Sequence, residues 1–255
     1  MRFASLGSGS RGNALIVEAG ATRLLLDCGF GPREMLYRLG RLGLSPADLS
    51  GILVTHEHGD HIAGAYSLAV RHELAVWMTH GTFAGAPQGR RPIPRAELID
   101  SHQSFRIGDL EIHPFPVPHD AREPVQFVFS DGRHRLGVVT DLGSTTPHVE
   151  RMLTGCDGLV LECNHDGDML QRGAYPPQLK RRVAGRFGHL DNAAAAALLA
   201  TLDTRNLRHL VAAHLSQQNN TPALARSALA GVLGCDEAWV GIADQDEGFD
   251  WRSLE

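Results

Sequence analysis

The sequence predicts an α+β fold, a four-layer αββα sandwich in which two β-sheets pack face to face and helices cover their outer faces. Two observations predict it. The first is that short apolar runs separated by Gly-rich turns indicate strands. The second is that the predicted elements fall into two similar halves, each of which begins with strands and ends with helices. The chain has 255 residues, 43% of them hydrophobic, which is enough for the core of one large domain or of two small ones.

The first half of the chain contains two predicted helices. A helix over 32–42 is indicated by Pro32 at its start and by Met35, Leu39 and Leu42 at helical spacing. A second helix is predicted over 62–71. The predicted strands of this half are 3–6, 14–18, 23–27, 51–55 and 75–78.

The second half follows the same order. From residue 105 to residue 140 the pattern indicates one strand after another, and helices follow. Asp191 is predicted to cap the Ala-rich helix that comes after it. The predicted strands are 110–115, 125–129, 136–140, 158–161, 207–213 and 237–242, and the predicted helices are 147–153, 177–184, 192–202 and 222–233.

Composition argues against several classes of protein. No apolar run approaches the ~20 residues of a membrane-spanning helix, and the first residues lack the apolar core of a signal peptide. The 4 cysteines stand far apart without CxxC spacing, so we expect a reducing, cytoplasmic location. A net charge of −5 argues against a general electrostatic coating of nucleic acid but leaves room for a local basic groove.

The chain contains 14 histidines, and the densest group is His56-Glu57-His58-Gly59-Asp60-His61. These side chains follow the predicted strand 51–55 and cannot all enter an apolar core, because buried unpaired polar groups are costly. In a loop at a strand end, His56 and His58 would bind one cation while Asp60 and His61 bind a second. Imidazole and carboxylate ligands without cysteine suit Zn²⁺, Mn²⁺ or Fe²⁺ at an open site. The alternative is an exposed His-rich turn without a ligand.

The motif HxHxDH after an apolar strand resembles the signature of the metallo-β-lactamase fold hydrolases. The resemblance covers nearly the whole chain and implies one such domain over residues 1–255. It also implies that Asp27 orients a ligand imidazole. The implied metal ligands are His56, His58 and His119 for one ion, Asp60, His61 and His214 for the other, and Asp141 as a bridge between them.

Such a centre implies hydrolysis. A water between two metal ions about 3.5–4 Å apart becomes a nucleophile near neutral pH, and the cations offset the charge that develops on the attacked group. Asp60 would also orient this water, which makes it a predicted catalytic residue. The resemblance implies two divalent ions, Zn or Mn or else Fe, and no organic cofactor.

The positions outside the first motif also have structural alternatives. His119 lies in a Pro-rich stretch and could belong to an ordinary loop. Asp141 could cap the helix that follows, and His214 could be a hydrogen-bonded core residue at a strand end. Asp27 is followed by Cys28 and Gly29, a sequence that also forms an ordinary turn.

Further segments resemble the YycJ branch (also WalJ or VicX) of these proteins, whose members are similar to DNA exonucleases. They are 6–13, 162–166, 175–180, 188–192 and 214–220, with Asp191 where a serine is expected. The resemblance implies a phosphodiester hydrolase, foremost a DNA exonuclease with DNA as its partner. The alternatives are a small-molecule phosphodiesterase, another ester or thioester hydrolase on the same metals, and a regulatory protein with a vestigial pocket. Nothing indicates the oligomeric state.

Other residues have predicted roles near this centre. By resemblance, His189 would be a catalytic acid that donates a proton to the leaving oxygen, unless it only caps the next helix. His165 and Asp166 either line the site or are structural. Two basic runs would hold a nucleic-acid backbone or form exposed charged faces. The first is Arg90-Arg91 with Arg95, and the second is Lys180-Arg181-Arg182 with Arg186. For the second run we favour substrate contact.

Overall fold

The computed structural model describes residues 1–86 and 95–255. Arg90 and Arg91 of the first basic run lie outside the described residues. The strands are β1 (Arg2–Gly7), β2 (Ala14–Ala19), β3 (Thr22–Leu26), β4 (Gly51–Leu53), β5 (Val76–Thr79), β6 (Ala96–Ile99), β7 (Phe105–Ile107), β8 (Leu110–Pro116), β9 (Val125–Ser130), β10 (Arg135–Val139), β11 (Gly158–Glu162), β12 (His209–Ala213), β13 (Gly241–Ile242) and β14 (Phe249–Ser253). The helices are α1 (Pro32–Arg41), α2 (Gly59–Ile62), α3 (Ala65–His72), α4 (His80–Gly85), α5 (Pro147–Leu153), α6 (Gly167–Arg172), α7 (Pro177–Val183), α8 (Asn192–Thr201) and α9 (Pro222–Leu233).

The described strands form two sheets of 7 strands each, in the orders β14-β1-β2-β3-β4-β5-β6 and β13-β12-β11-β10-β9-β8-β7. Strands β3 to β6 are mutually parallel, and so are strands β10 to β13. Parallel neighbours end at the same edge of a sheet. The loops that follow β4, β10, β11 and β12 are therefore placed to build one site.

Three apolar cores separate four layers. The middle core joins the inner faces of the two sheets, with Phe3 and Leu53 from one sheet and Phe127 and Val160 from the other. One outer core lies between the first sheet and the helices α1 and α3. The other lies between the second sheet and the helices α5, α8 and α9. This arrangement is the predicted αββα sandwich. A single domain over residues 1–255 stays a prediction, and the shared middle core favours it.

Some predicted elements differ from those of the structure. The predicted helix 62–71 is two helices, α2 and α3, because the Gly64 amide donates to the Cys28 carbonyl at 2.7 Å and does not make the helical hydrogen bond. The predicted strand 237–242 is reduced to β13, since Glu237–Trp239 forms a 3₁₀ turn. Strands β6 and β14 and helices α4 and α6 are not predicted at all. The cap at Asp191 is confirmed, because its carboxylate accepts a hydrogen bond from the Ala194 amide.

Within residues 1–86 and 95–255, no helix has both the length and the apolar composition needed to cross a membrane.

The packing of α9 can be tested with two leucines of the same helix. Leu229 is fully buried between α9 and the second sheet, whereas Leu224 is 40% exposed. We expect Leu229→Ala to lower the free energy of unfolding by about 2–5 kcal/mol, because truncation leaves a cavity. Leu224→Ala should change it by less than about 1 kcal/mol. Urea unfolding followed by circular dichroism measures both values, and equal effects would contradict the assigned face of α9.

Candidate metal centre

The predicted ligands lie at the carboxyl ends of strands from both sheets. The segment 56–61 follows β4 and continues into the short helix α2, while Asp141 follows β10 and His214 follows β12. His119 lies just after β8. Apolar residues bury each of these strands, so the first polar residues beyond them emerge at one edge of the sandwich. The structure therefore brings all seven predicted ligands together.

The first group consists of three imidazoles, His56, His58 and His119, whose ligand atoms lie within 4.8 Å of one another. The Nε2 atom of His56 is 3.0 Å from Nδ1 of His58, and Nε2 of His119 is 3.3 Å from the same Nδ1. Two ring nitrogens that both converge on a third cannot all be satisfied by hydrogen bonds among themselves. A cation between them satisfies all three.

The second group consists of Asp60, His61 and His214, again within 4.8 Å of one another. Oδ2 of Asp60 is 3.5 Å from Nε2 of His61 and 3.6 Å from Nε2 of His214. These side chains are mostly buried, with the Asp60 carboxylate the most exposed. One carboxylate and two imidazoles are a typical ligand set for a divalent first-row metal ion.

Asp141 lies between the two groups. Its Oδ2 atom is 3.0 Å from His61 Nε2, and its Oδ1 atom is 3.8 Å from His119 Nε2. The approach of His61 lacks hydrogen-bond geometry, so Asp141 Oδ2 is buried without a hydrogen-bond partner, as is His214 Nε2. Buried polar atoms without partners are rare in proteins. Here they face the space between the two groups, which fits a pair of divalent ions.

Protein acceptors hold the opposite ring nitrogens of three of these histidines. His61 Nδ1 donates to Asp27 Oδ2 at 2.8 Å, and His119 Nδ1 donates to the Gly188 carbonyl at 3.1 Å. His56 Nδ1 lies 2.9 Å from the hydroxyl of Thr55, which in turn bonds to Asp27. Such partners set the tautomer and leave Nε2 as the ligand atom. The predicted orienting role of Asp27 thus agrees with its position.

Backbone conformation adds to this arrangement. Among the described residues, the non-glycine residues with positive φ are Asp27 (φ 60), Glu73 (φ 56) and His214 (φ 55). Two of the three belong to the centre. Such conformations are sparsely populated for L-residues and persist where the surroundings impose them, commonly at functional sites.

Burial and neighbouring carboxylates shift the pKa values of the histidines in this centre. Burial alone would lower the pKa of His214, but Asp141, Asp60 and Glu162 raise it to about 10. Burial opposes the charge of His61 as well, yet Asp141 and Asp27 raise its pKa well above the ordinary value. In contrast, burial lowers the pKa of His56 well below its usual range, which favours the neutral form that binds metals.

Glu162 is a site residue that the sequence motifs do not single out. It is fully buried at the end of β11, and its Oε2 accepts hydrogen bonds from the amides of Leu142 and Leu190. Its Oε1 accepts a 2.8 Å bond from Nδ1 of His189. The only signal in the sequence is a carboxylate directly after the apolar run Gly158–Leu161, within the segment 162–166.

His189 itself reaches the centre. Its Nδ1 is held by Glu162 and lies 3.3 Å from Asp141 Oδ1, and its ring stacks on His214 with centroids 5.2 Å apart. Burial would lower the pKa of His189, but the charge of Glu162 and the bond to it raise that pKa. Because Nδ1 is engaged by Glu162, Nε2 is the ring nitrogen that remains available to a ligand in the cleft, which His189 lines.

The loop 8–13, part of a segment that resembles the YycJ branch, supports two ligands. Ser8 Oγ accepts a hydrogen bond from the His214 amide at 3.0 Å, and Asn13 Nδ2 lies 3.1 Å from His61 Nε2. Asn13 Oδ1 also accepts a bond from the Gly9 amide, which holds the loop together.

The other predicted site residues have structural contacts. The carboxylate of Asp166 caps α6 by accepting a hydrogen bond from the Met169 amide. His165 is buried, and its Nδ1 lies 3.3 Å from the side-chain oxygen of Asn164. Neither residue is among those lining the cleft in the described part of the chain. A role for them in the reaction remains a prediction only.

The centre opens into a cleft of about 390 Å³. One wall carries the candidate ligands, and the opposite wall comes from α7 and the turn before it. Residues of that second wall are Tyr175, Leu179, Arg182 and Val183.

Comparison with known proteins identifies the family. The signature of the β-lactamase superfamily domain matches residues 22–215. The chain belongs to the β-lactamase superfamily. The match includes every predicted ligand, from His56 to His214, as well as Asp27.

Within the superfamily, the chain is similar to two bacterial nucleases over nearly its whole length. It is 35% identical over 251 residues to exodeoxyribonuclease YycJ of Bacillus anthracis, covering 97% of this chain and 94% of that protein. It is 30% identical over 246 residues to exodeoxyribonuclease WalJ of Streptococcus pneumoniae, covering 94% and 91%. The predicted resemblance to the YycJ branch is therefore confirmed.

A solved structure confirms the fold of the superfamily member described here. Zn²⁺-bound PqqB from Methylobacterium extorquens matches with a TM-score of 0.75 at 19% identity, covering 99% of this chain and 100% of that one. At this identity the match concerns the fold alone. The predicted metallo-β-lactamase sandwich is confirmed. The His and Asp clusters of this chain support the use of divalent metal ions.

The bond from Asp27 to His61 gives a testable prediction. Asparagine tolerates a positive φ, so Asp27→Asn keeps the backbone but removes the charge that orients His61. We expect the affinity for Zn²⁺ or Mn²⁺ to fall about 10–100-fold, measured by calorimetric titration of metal-free protein. Asp203→Asn, at an exposed carboxylate, serves as the control. Unchanged affinity in a folded Asp27→Asn protein would contradict the orienting role.

Proposed function

We propose that this protein is a two-metal phosphodiester hydrolase that acts as a DNA exonuclease. The observation that carries the proposal is the convergence of two ligand groups on the buried carboxylate of Asp141, which lies within 3.8 Å of both groups. The similarity to YycJ and WalJ over nearly the whole chain supports DNA as the substrate.

The residues divide into two ligand sets. One ion would be held by His56, His58 and His119. The other ion would be held by Asp60, His61 and His214. Asp141 would contact both ions. When bound, the two ions supply an activated water and offset the negative charge that develops on the phosphoryl oxygens. Nitrogen and oxygen donors without cysteine suit Zn or Mn, and Fe as well. We propose no organic cofactor and a cytoplasmic location.

Asp60 has two oxygens with different surroundings. Its Oδ2 faces His61 and His214, and the carboxylate is partly exposed in the cleft. The second oxygen, Oδ1, would accept a hydrogen bond from the attacking water and orient it toward the phosphorus. This is the catalytic role that the sequence predicts for Asp60.

His189 is the proposed general acid. Glu162 fixes Nδ1 and hence the ring, so Nε2 is the nitrogen left to donate a proton, and His189 lines the cleft where the leaving oxygen of the diester would lie. The Leu142 and Leu190 amides in turn hold Glu162 in place. Glu162 is thus a positioning residue for the acid.

The proposed activity is tested with end-labelled single-stranded and double-stranded DNA after loading with Zn²⁺, Mn²⁺ or Fe²⁺. We expect products shortened from an end, complete loss of activity with a chelator, and recovery on adding metal. Asp60→Ala should abolish digestion, since it removes both a ligand and the group that orients the water. Digestion that survives in Asp60→Ala points to a contaminating nuclease. Turnover of a small phosphodiester with intact DNA would favour the small-molecule hydrolase instead.

The role of His189 is tested separately. We expect His189→Ala to lower kcat on DNA by about 10²–10⁴-fold with the metal content unchanged, because the substitution removes the proton donor but none of the seven proposed metal ligands. Elemental analysis of the loaded protein measures that content. His113→Ala, at a half-exposed histidine of β8, is the matched control. Near wild-type turnover of metal-loaded His189→Ala would end the proposal that His189 is the acid.

A further inference from the structure

The segment between β11 and α8 is unusually basic for this chain. Residues 163–191, which form this segment, contain five Arg or Lys side chains and three carboxylates, although the chain has a net charge of −5. Helix α7 lies in this segment and has no fully buried residue. A basic, exposed element next to a hydrolytic centre calls for a negatively charged ligand.

The structure separates the members of the basic run. Lys180 Nζ donates to the Gln171 carbonyl at 2.6 Å, which directs this charge away from the cleft. Arg182 lines the cleft, and its Nε donates to Asp120 Oδ2 at 2.7 Å. Arg182 keeps 62% of its side chain exposed. Because the bond engages only Nε, the guanidinium retains its two terminal nitrogens for an anion.

Asp120 fixes this arginine relative to the metal centre. Its other oxygen, Oδ1, is 3.5 Å from His119 Nε2 and 3.8 Å from His58 Nε2. The carboxylate therefore spans the distance between the candidate ligands and Arg182. This places Arg182 beside the centre rather than inside it.

An exposed aromatic residue continues the same surface. Phe187 is 49% exposed, and the guanidinium of Arg186 lies 5.0 Å from its ring centroid. Its carbonyl accepts a hydrogen bond from the Asp120 amide at 3.0 Å, so it belongs to the same rim as Arg182. Exposed aromatic rings beside arginines are typical platforms for nucleobases.

The size of the cleft determines what must lie outside it. A volume of about 390 Å³ is in the range of pockets that hold one small ligand. It therefore accommodates a nucleotide-sized end of a substrate but not a stretch of polymer. The remaining nucleotides of a strand must lie on the rim.

We propose that this rim, consisting of Arg182, Arg186 and Phe187, binds the single polynucleotide strand that flanks the scissile bond. Arg182 contacts the phosphate next to the scissile one, Asp120 positions Arg182, and Phe187 stacks on a flanking base with Arg186 behind it. The inference rests on the proposed nuclease function and assigns the surface that distinguishes a polymer from a small diester.

The test compares substrates that differ only in length. A thymidine dinucleotide contains only the scissile phosphate and reaches little of the rim, whereas an oligothymidylate of about a dozen nucleotides covers the rim as well. We expect the double variant Arg182→Gln/Phe187→Ala to lower kcat/KM for the oligothymidylate about tenfold or more. The factor by which kcat/KM falls for the dinucleotide should be at least about five times smaller than the factor for the oligothymidylate, because the dinucleotide lacks the stacked base. An equal loss on both substrates would overturn the proposal.

Binding gives a second readout that does not depend on turnover. Fluorescence anisotropy of labelled oligothymidylate, measured against salt concentration, should show a log–log slope that is smaller by about 0.7 in the double variant, because Arg182 no longer neutralises one phosphate. An unchanged affinity and slope would also overturn the proposal. If the wild-type protein binds the strand through the rim but degrades no DNA, the nuclease function fails and the rim assignment stands.

The control is Arg71→Gln/Arg208→Gln. These exposed arginines precede β5 and β12, at the opposite end of the parallel strands from the cleft. The control removes two charges, yet it should leave both kcat/KM values and the salt slope unchanged. A control that weakens oligothymidylate binding as much as the rim variant would show that general charge, and not the rim, accounts for binding.

Discussion

Three carboxylates at the strand ends, Asp27, Asp141 and Glu162, are at most 2% exposed, and a buried charge without compensation is strongly destabilising. Each is compensated by imidazoles: Asp27 by His61, Glu162 by His189, and Asp141 by several rings around it. The surrounding architecture serves this requirement, because two sheets packed on a common core deliver the strand ends to one edge. Divalent cations held by the candidate ligands would also compensate this charge.

Much of the centre could be predicted because its information is local in sequence. The motif from His56 to His61 follows the apolar strand β4, so its polar residues must emerge at the sheet edge. The assignment of His119, Asp141 and His214 came instead from their order along the chain, which resembles that of the metallo-β-lactamase fold hydrolases. The sandwich follows from the same pattern, since strands and helices recur in two similar halves.

What could not be predicted depends on partners distant in sequence. The role of Glu162 is defined by His189 and by the amides of Leu142 and Leu190, none of which is adjacent in the chain. Strand β14 is a strand because it pairs with β1 at the other end of the chain, a partner that its own five residues do not identify. The break between α2 and α3 comes from the hydrogen bond that the Gly64 amide donates to the Cys28 carbonyl, a partner distant in sequence.

The exposed packing of α7 on the rest of the protein has a consequence for how such proteins diversify. This helix has no fully buried residue, whereas the strands β4, β10, β11 and β12, at whose ends candidate site residues lie, are buried almost throughout. Natural drift or laboratory grafting can therefore exchange the helix for another sequence with little penalty to folding. One hydrolytic centre can then be combined with different helices beside the cleft. Such an exchange changes the surface that selects a substrate, while the chemistry of the centre stays the same.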